Sequence, residues 1–343
     1  MMHKLGILVG LAIALGLTMA PGTVEAGATF DAIKARGVVA CGVNTGVAGF
    51  SMPDTRGAWS GIDVDLCRAF AAAMFGDATK TKFVPLTAAQ RFTALQSGEI
   101  DVLTRNTTIT LVRDASLGLL LTGINFYDGQ GFMVKNDLKL KSVKELSGAT
   151  ICAAQGTTHE LNMADYFRSN KLTYKPVVIE NQDQMYEAFF AGRCDAMTQD
   201  SSALAAVLAS KPQIAGGYTI LPERISKEPL GPLVRQDDMQ WFAVVKWTQA
   251  AMVEGEEKGV TQANADQMLT SDDPGIKRLL GVTEGNGKAL GLNEKWAHAI
   301  LKQVGNYGES FERNVGKASA LKLERGVNDL WTRGGLMYAL PLR

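Results

Sequence analysis

Short β-branched runs alternate with amphipathic stretches from about residue 37 onward. The spacing predicts strands at 38–43, 82–85 and 101–104, separated by helices at 63–75 and 88–97. In the first of these helices Leu66, Phe70 and Met74 recur at helical spacing, Asp63 is placed to cap the N-terminus, Asp65 suits the positive end of the dipole, and Gly76 ends the element. A βαβαβ order of this kind implies a mostly parallel sheet with helices on both faces.

The alternation then restarts. Strands are predicted at 131–134, 150–154, 175–179, 196–198 and 218–221, with helices at 143–146, 159–169, 183–191 and 201–208. Polar or Gly/Pro-bearing segments at 125–130 and 227–231 sit at either end of this second unit, as crossing strands would. The expected fold class is α/β with two lobes, the second inserted in the first and joined to it by two hinge strands. Residues 27–127 and 232–343 then form the first lobe, and 128–231 the second. A helix-rich tail, with apolar periodicity in 240–256 and 293–304, packs back onto the first lobe. Ligands of open α/β sheets gather beyond the carboxyl ends of the strands, so two facing units make a two-sided cleft.

Composition adds a compartment and removes several function classes. The 343 residues, 46% of them apolar, suffice for two ordinary cores. Lys4, an apolar run over 5–20, Pro21-Gly22 and the small-residue site Val24-Glu25-Ala26 read as a secretory signal peptide, residues 1–26, cleaved after Ala26. An uncleaved anchor is the rival reading, but the run is short for a span. The 35 basic and 35 acidic residues balance, and cleavage removes one of each, so no pull on nucleic acid is expected. Four cysteines in an exported chain predict two disulfides. Of the three pairings, Cys41 with Cys67 and Cys152 with Cys194 is preferred, because each bridge stays inside one lobe and leaves the lobes free to move. The cysteine separations match no zinc pattern and the mature histidines, His159 and His298, have no paired ligand spacing, so neither a metal nor a cofactor is expected.

Three strand-to-helix junctions carry candidate chemistry. Arg113 falls in the first turn of a helix that Thr110 can cap, where a cation opposes the dipole by about 0.3–1 kcal/mol; it either points to solvent or Asp114, or grips a ligand carboxylate bidentately. Gly156-Thr157-Thr158 opens another helix, read equally as a capping box between Thr157 and Glu160 or as backbone donors facing the cleft. Asp200 is either a helix N-cap or an acceptor for an ammonium group. Trp59, in the loop before the first long helix, either covers a ligand or packs structurally. No nucleophile elbow or HExxH is present, and Gly285-Asn286-Gly287-Lys288 fails as a phosphate loop because Ala289 follows the lysine.

Trp59-Ser60-Gly61-Ile62-Asp63-Val64-Asp65-Leu66, Ala94-Leu95-Gln96-Ser97-Gly98 leading through Asp101 to Thr108-Ile109-Thr110 and Arg113, and Gly156-Thr157-Thr158 resemble, in order, the polar amino-acid family (family 3) of periplasmic solute-binding proteins, specifically its general L-amino-acid binders. The resemblance implies the type II binding-protein fold, a periplasmic location, a monomer, and no enzymatic activity. It also implies an L-amino acid as ligand, of broad specificity, taken up by cleft closure and handed to a membrane ABC permease with its ATPase. Arg113 and Thr108 would hold the ligand α-carboxylate, helped by the Asn106 backbone and by Thr158 across the cleft. Asp200 would accept the ammonium, with the Asn106 or Gln199 backbone nearby, while Trp59 and Ile62 enclose the ligand and Asn44 and Phe50 line the wall. Arg105-Asn106-Thr107 and Leu111-Val112 depart from the small residues and Pro-Glu pair of many relatives, and the tail beyond about residue 260 is longer. A dehydratase-like cleft enzyme and a ligand sensor for a chemoreceptor are the alternatives on the same fold.

Overall fold

Val39–Asn44 is buried at every position, which an edge strand could not be, and it lies second in a five-stranded sheet. A computed structural model describes residues 27–343; the expected leader at 1–26 lies outside the described residues. The first sheet runs Thr81–Leu86, Val39–Asn44, Val102–Leu103, Leu233–Arg235, Leu119–Leu121. Its first three strands are parallel and the Leu233–Arg235 strand is antiparallel to both neighbours. The second sheet repeats the plan, with Lys175–Ile179, Thr150–Ala154 and Ala196–Asp200 parallel, and Gln130–Lys135 antiparallel to both its neighbours, Ala196–Asp200 and Tyr218–Ile220.

The chain crosses between the sheets twice. Phe126–Asp128 and Glu228–Leu230 pair antiparallel, Glu228 opposite Asp128 and Leu230 opposite Phe126, which gives the two hinge strands of a two-lobed, inserted α/β fold. Glu228 is buried and Asp128 half-buried at the lobe junction.

The long tail is part of the first lobe. Helix Met239–Glu257 and helix Trp296–Gln303 pack on helix Ile62–Phe75, whose far side faces the sheet. Trp241 is fully buried there, its ring against Phe70 and its Nε1 donating to the Asp101 carbonyl at 2.9 Å. Asp65, also buried, accepts from Ser310, from Arg313 (2.7 Å) and from Asn314, so the end of the tail is tied to the first long helix. Farther on, Asn328 accepts from Tyr127 N (2.7 Å) and donates to Tyr127 O (3.0 Å), closing both backbone groups of a hinge residue that faces away from Glu228–Leu230. Each disulfide stays with its own sheet: Cys41 of the first joins Cys67, and Cys152 of the second joins Cys194.

Three local expectations change. Asp63 does not cap its helix: the helix starts at Ile62 after Gly61, and the Asp63 carboxylate turns inward to accept from Asn106 N at 2.8 Å. Gly61 is required because its φ is +134° and a Cβ there would lie 2.0 Å from the Phe50 carbonyl. The capping box at Thr157 does not form: Glu160 accepts from Gly156 N at 2.8 Å, one residue before the N-cap, and the Thr157 hydroxyl donates to Ala154 O instead of accepting from the helix. The pairing of Leu119–Leu121 with Leu233–Arg235 was not expected, since neither run shows alternation.

Candidate functional site

The carboxyl ends of strands from both sheets meet at the hinge, and the charged groups gathered there are buried. Thr110 caps its helix by accepting from Arg113 N, which fixes where the arginine leaves the backbone. Arg113 is 8% exposed, and its guanidinium donates to Thr108 O at 2.7 Å and lies over the Phe92 ring at 5.1 Å. Burial lowers its pKa, while Glu228 and Asp200 oppose that shift by favouring the charge.

On the other side Asp200 ends its strand at the N-cap position of helix Ser201–Ser210 but makes no cap hydrogen bond. Instead Oδ1 lies 3.0 Å from His159 Nε2, and Oδ2 accepts from Asn106 Nδ2 at 3.2 Å across the cleft. Burial disfavours the His159 cation, but the Asp200 carboxylate more than offsets it and the pKa is raised. Asp128 is pushed up to about 7 by burial and by Asp200 beside it, and Asp63 up to about 6 by burial.

Asn106 is held at φ +31°, a left-handed conformation that asparagine tolerates better than most residues. Its backbone N–H, expected to face a ligand carboxylate, is taken by Asp63; its side chain links Asn44 (3.0 Å) to Asp200. Asn44 also reaches Gln182 of the second lobe at 3.4 Å.

Sequence reasoning passed over Glu228. Its Oε2 accepts from the hydroxyls of Thr108 and Thr158 (2.9 Å), one from each lobe, and its Oε1 accepts from Asn162 (2.7 Å) and Ser226. A glutamate in a strand already read as a lobe crossing was the available signal, because that position is buried whenever the lobes face each other. His159 and Arg91 were likewise unassigned. Ile62 and Phe50 are buried, with Phe50 edge-on to Phe126, and Gln199 is buried with its Nε2 unpartnered. Thr157 bonds its own turn. Trp59 is not brought into this cluster by any hydrogen bond: its ring lies on Phe83 and its carbonyl accepts from Arg68.

Gly156 lets the second lobe approach the first closely, at φ +75° with a Cβ position 3.2 Å from Ala89 Cα. His159, Asp200 and Glu228 present ligand atoms within 4.8 Å of one another. A dication would displace bonds those atoms already make, and it would do so beside the Arg113 cation, whose charge Glu228 and Asp200 favour. The arrangement sets the Arg113 cation against two carboxylates, Asp200 and Glu228, all three buried.

Comparison with known proteins identifies the family. Residues 39–270 match the model of the bacterial extracellular solute-binding proteins, family 3. The chain is 53% identical over 333 residues to the general L-amino acid-binding periplasmic protein AapJ of Rhizobium johnstonii, covering 96% of each. It is 50% identical over 316 residues to the glutamate/glutamine/aspartate/asparagine-binding protein BztA of Rhodobacter capsulatus, covering 92% of this chain and 93% of that one. Among solved structures, a periplasmic binding protein of an ABC transporter from Brucella ovis with glutathione bound superposes with a TM-score of 0.90 at 54% identity, over 92% of this chain and 99% of that one. With the inserted two-lobed fold, the matched span and these relatives in agreement, the chain belongs to the bacterial extracellular solute-binding proteins of family 3.

Proposed function

We propose that this protein is the periplasmic component of an ABC importer that binds L-amino acids of several side-chain classes and presents them, as a monomer, to a membrane permease and its ATPase. Residues 27–127 with 232–343 act as one lobe, 128–231 as the other, and the leader at 1–26 directs export. The observation that carries the reading is the opposed pair of charges: Arg113 on the first lobe against Asp200 on the second, both buried and joined through Asn106 and Thr108.

A zwitterion complements that pair. Its α-carboxylate goes to Arg113 and takes the hydroxyl protons of Thr108 and Thr158 from Glu228. Glu228 stays satisfied through Asn162 and Ser226 while its freed oxygen joins Asp200 in accepting the ammonium. Contacts on both lobes exist only when the cleft is shut, so ligand shifts the equilibrium toward the closed form. Ile62, Phe50 and Asn44 bound the side-chain space, with Gln199, Thr157 and Trp59 assigned to the surround.

The relatives AapJ and BztA, named for amino-acid binding, support the ligand class. The buried His159–Asp200 couple has acid–base composition, yet Asp200 is committed to the ammonium, so no reaction is assigned. Calorimetric titration of ligand-stripped protein with acidic, amide and aliphatic amino acids tests the reading. Binding across these classes, with the amino acid recovered unchanged after prolonged incubation, is expected; no binding by any of them refutes it, and a converted product would replace it with a cleft enzyme.

A further inference from the structure

The two strands that join the lobes are held differently along their length. Tyr127 and Pro229 stand opposite each other in the ribbon, and each turns an outer backbone group toward other parts of the chain. Pro229 O accepts from Ile109 N at 2.9 Å. Tyr127 is met by Asn328, whose side-chain amide accepts from its N–H at 2.7 Å and donates to its carbonyl at 3.0 Å, as a neighbouring strand would. Beside it Tyr307, 2% exposed, donates its hydroxyl to Asn125 O at 3.0 Å, and the Phe311 ring stacks on Phe126.

These tail residues are grounded on the first lobe. Arg325 lies over the rings of Tyr307 and Phe311 at 5.2 and 4.7 Å, donates to Asn328 O at 3.1 Å, and pairs with Glu256 of helix Met239–Glu257 at 3.1 Å. All four lie past the span 39–270 that matches the family model. On the far side, Ser201 N donates to Gly129 O at 2.9 Å and Ile225 N to Gln130 O at 3.0 Å, so from Gly129 and Ile225 the two strands are tied into the second lobe. Only Asp128 on one strand and 226–228 on the other remain between the two anchored ends.

We infer that the tail is a brace on the hinge: it fixes 125–127 to the first lobe, confines lobe rotation to Asp128 and 226–228, and so sets how readily the cleft closes. The inference rests on the amino-acid reading of the cleft, since closure on that ligand is what it regulates. Without Asn328 and the Tyr307 hydroxyl the ribbon loses its outer partners, the open form gains conformations, and closure has to order them again. Neither residue bonds any of the cleft groups, so the loss falls equally on every ligand.

The experiment combines residue-resolved hydrogen exchange on ligand-free protein with calorimetric titration of L-glutamate and L-glutamine into wild type, Asn328→Ala and Tyr307→Phe, each variant's melting temperature being recorded. In wild type the Tyr127 amide should exchange at least about a hundredfold more slowly than in an unfolded chain, and Asn328→Ala should remove most of that protection. Asn328→Ala should weaken both amino acids by the same factor, about three- to tenfold, and Tyr307→Phe, which keeps the ring, by about two- to threefold. An unprotected Tyr127 amide in ligand-free wild type would place the bend inside the braced segment and overturn the inference, with no variant needing to fold. Affinities within about 1.5-fold of wild type in both variants would overturn it too, whatever happens to the melting temperature, because the tail would then serve stability alone. Unequal losses for the two amino acids would do the same by placing the effect in the cleft. Binding of neither amino acid by wild type would instead bring down the amino-acid reading, and this inference with it.

Discussion

Replacing Arg113 by methionine separates two effects that usually travel together. The residue is 8% exposed, and its guanidinium spends one N–H on the Thr108 carbonyl at 2.7 Å and has no carboxylate within hydrogen-bonding distance among the described residues. Without ligand its burial is therefore a cost that Glu228 and Asp200 offset only from a distance. Methionine keeps contact with Phe92 and fills a similar volume, so the ligand-free protein should melt within a few degrees of wild type or slightly higher. Binding should behave oppositely. Losing one partner of a desolvated charge pair costs roughly 2–5 kcal/mol, about thirtyfold to several thousandfold in Kd for any α-amino acid irrespective of side chain. Calorimetry on both proteins with two amino acids of different side chain, beside thermal melts without ligand, reads all the quantities. A Kd within about threefold of wild type would remove Arg113 from the site, and a fall in melting temperature matching the affinity loss would make its role structural.

Lowering pH from 8 to 5.5 should raise the melting temperature of ligand-free protein. Asp63 and Asp128, held near about 6 and about 7 against 3.8 in an unfolded chain, bind protons that the unfolded chain has released over this window. His159, raised above 6.5, contributes stability that is lost as pH rises through its folded value. The combined gain is on the order of 2 kcal/mol, and a flat or inverted melt series would contradict it. Asp65→Ala should destabilise by roughly 3–5 kcal/mol in chemical denaturation, because Arg313, Ser310 and Asn314 lose their common acceptor; a loss below about 1 kcal/mol would show the tail is held elsewhere. Opening Cys41–Cys67 and Cys152–Cys194, at separations of 26 and 42 residues, should cost about 3.5 and 4 kcal/mol of stability by loop entropy while leaving amino-acid Kd unchanged under native conditions. A Kd that moves on reduction would show a bridge constraining closure.

What could be read beforehand was local. Gly76 ends its helix in the left-handed conformation, Thr110 caps, and the polar segments at 125–130 and 227–231 become the crossing pair, because each depends on residue type and near neighbours. What escaped depends on chain brought from far away. Asp63 looks like a cap until Asn106, 43 residues on, offers its amide. Asp200 occupies a cap position, yet His159 and Asn106 draw its carboxylate into the cleft. Arg91 sits in an element whose periodicity says nothing of the opposite lobe, so its burial became visible only once the lobes were placed face to face, whereas Glu228 lay in a segment already read as crossing but its partners, Thr108 and Thr158, are far off in sequence.

The route of the chain also orders its assembly. Every strand of the second sheet lies between Gln130 and Ile220, so that unit has all its partners as soon as this contiguous stretch is available. The first sheet has a gap between Val102–Leu103 and Leu119–Leu121 until Leu233–Arg235 arrives, and its main helix stays uncovered until Trp296–Gln303 follows. The part that begins the polypeptide is thus the last to finish, its closure entropy set by a long detour, and a chain emerging from its N-terminus carries an unsealed apolar surface for most of its length. Such a molecule suits threading through a membrane before it folds, since its early segments cannot lock prematurely.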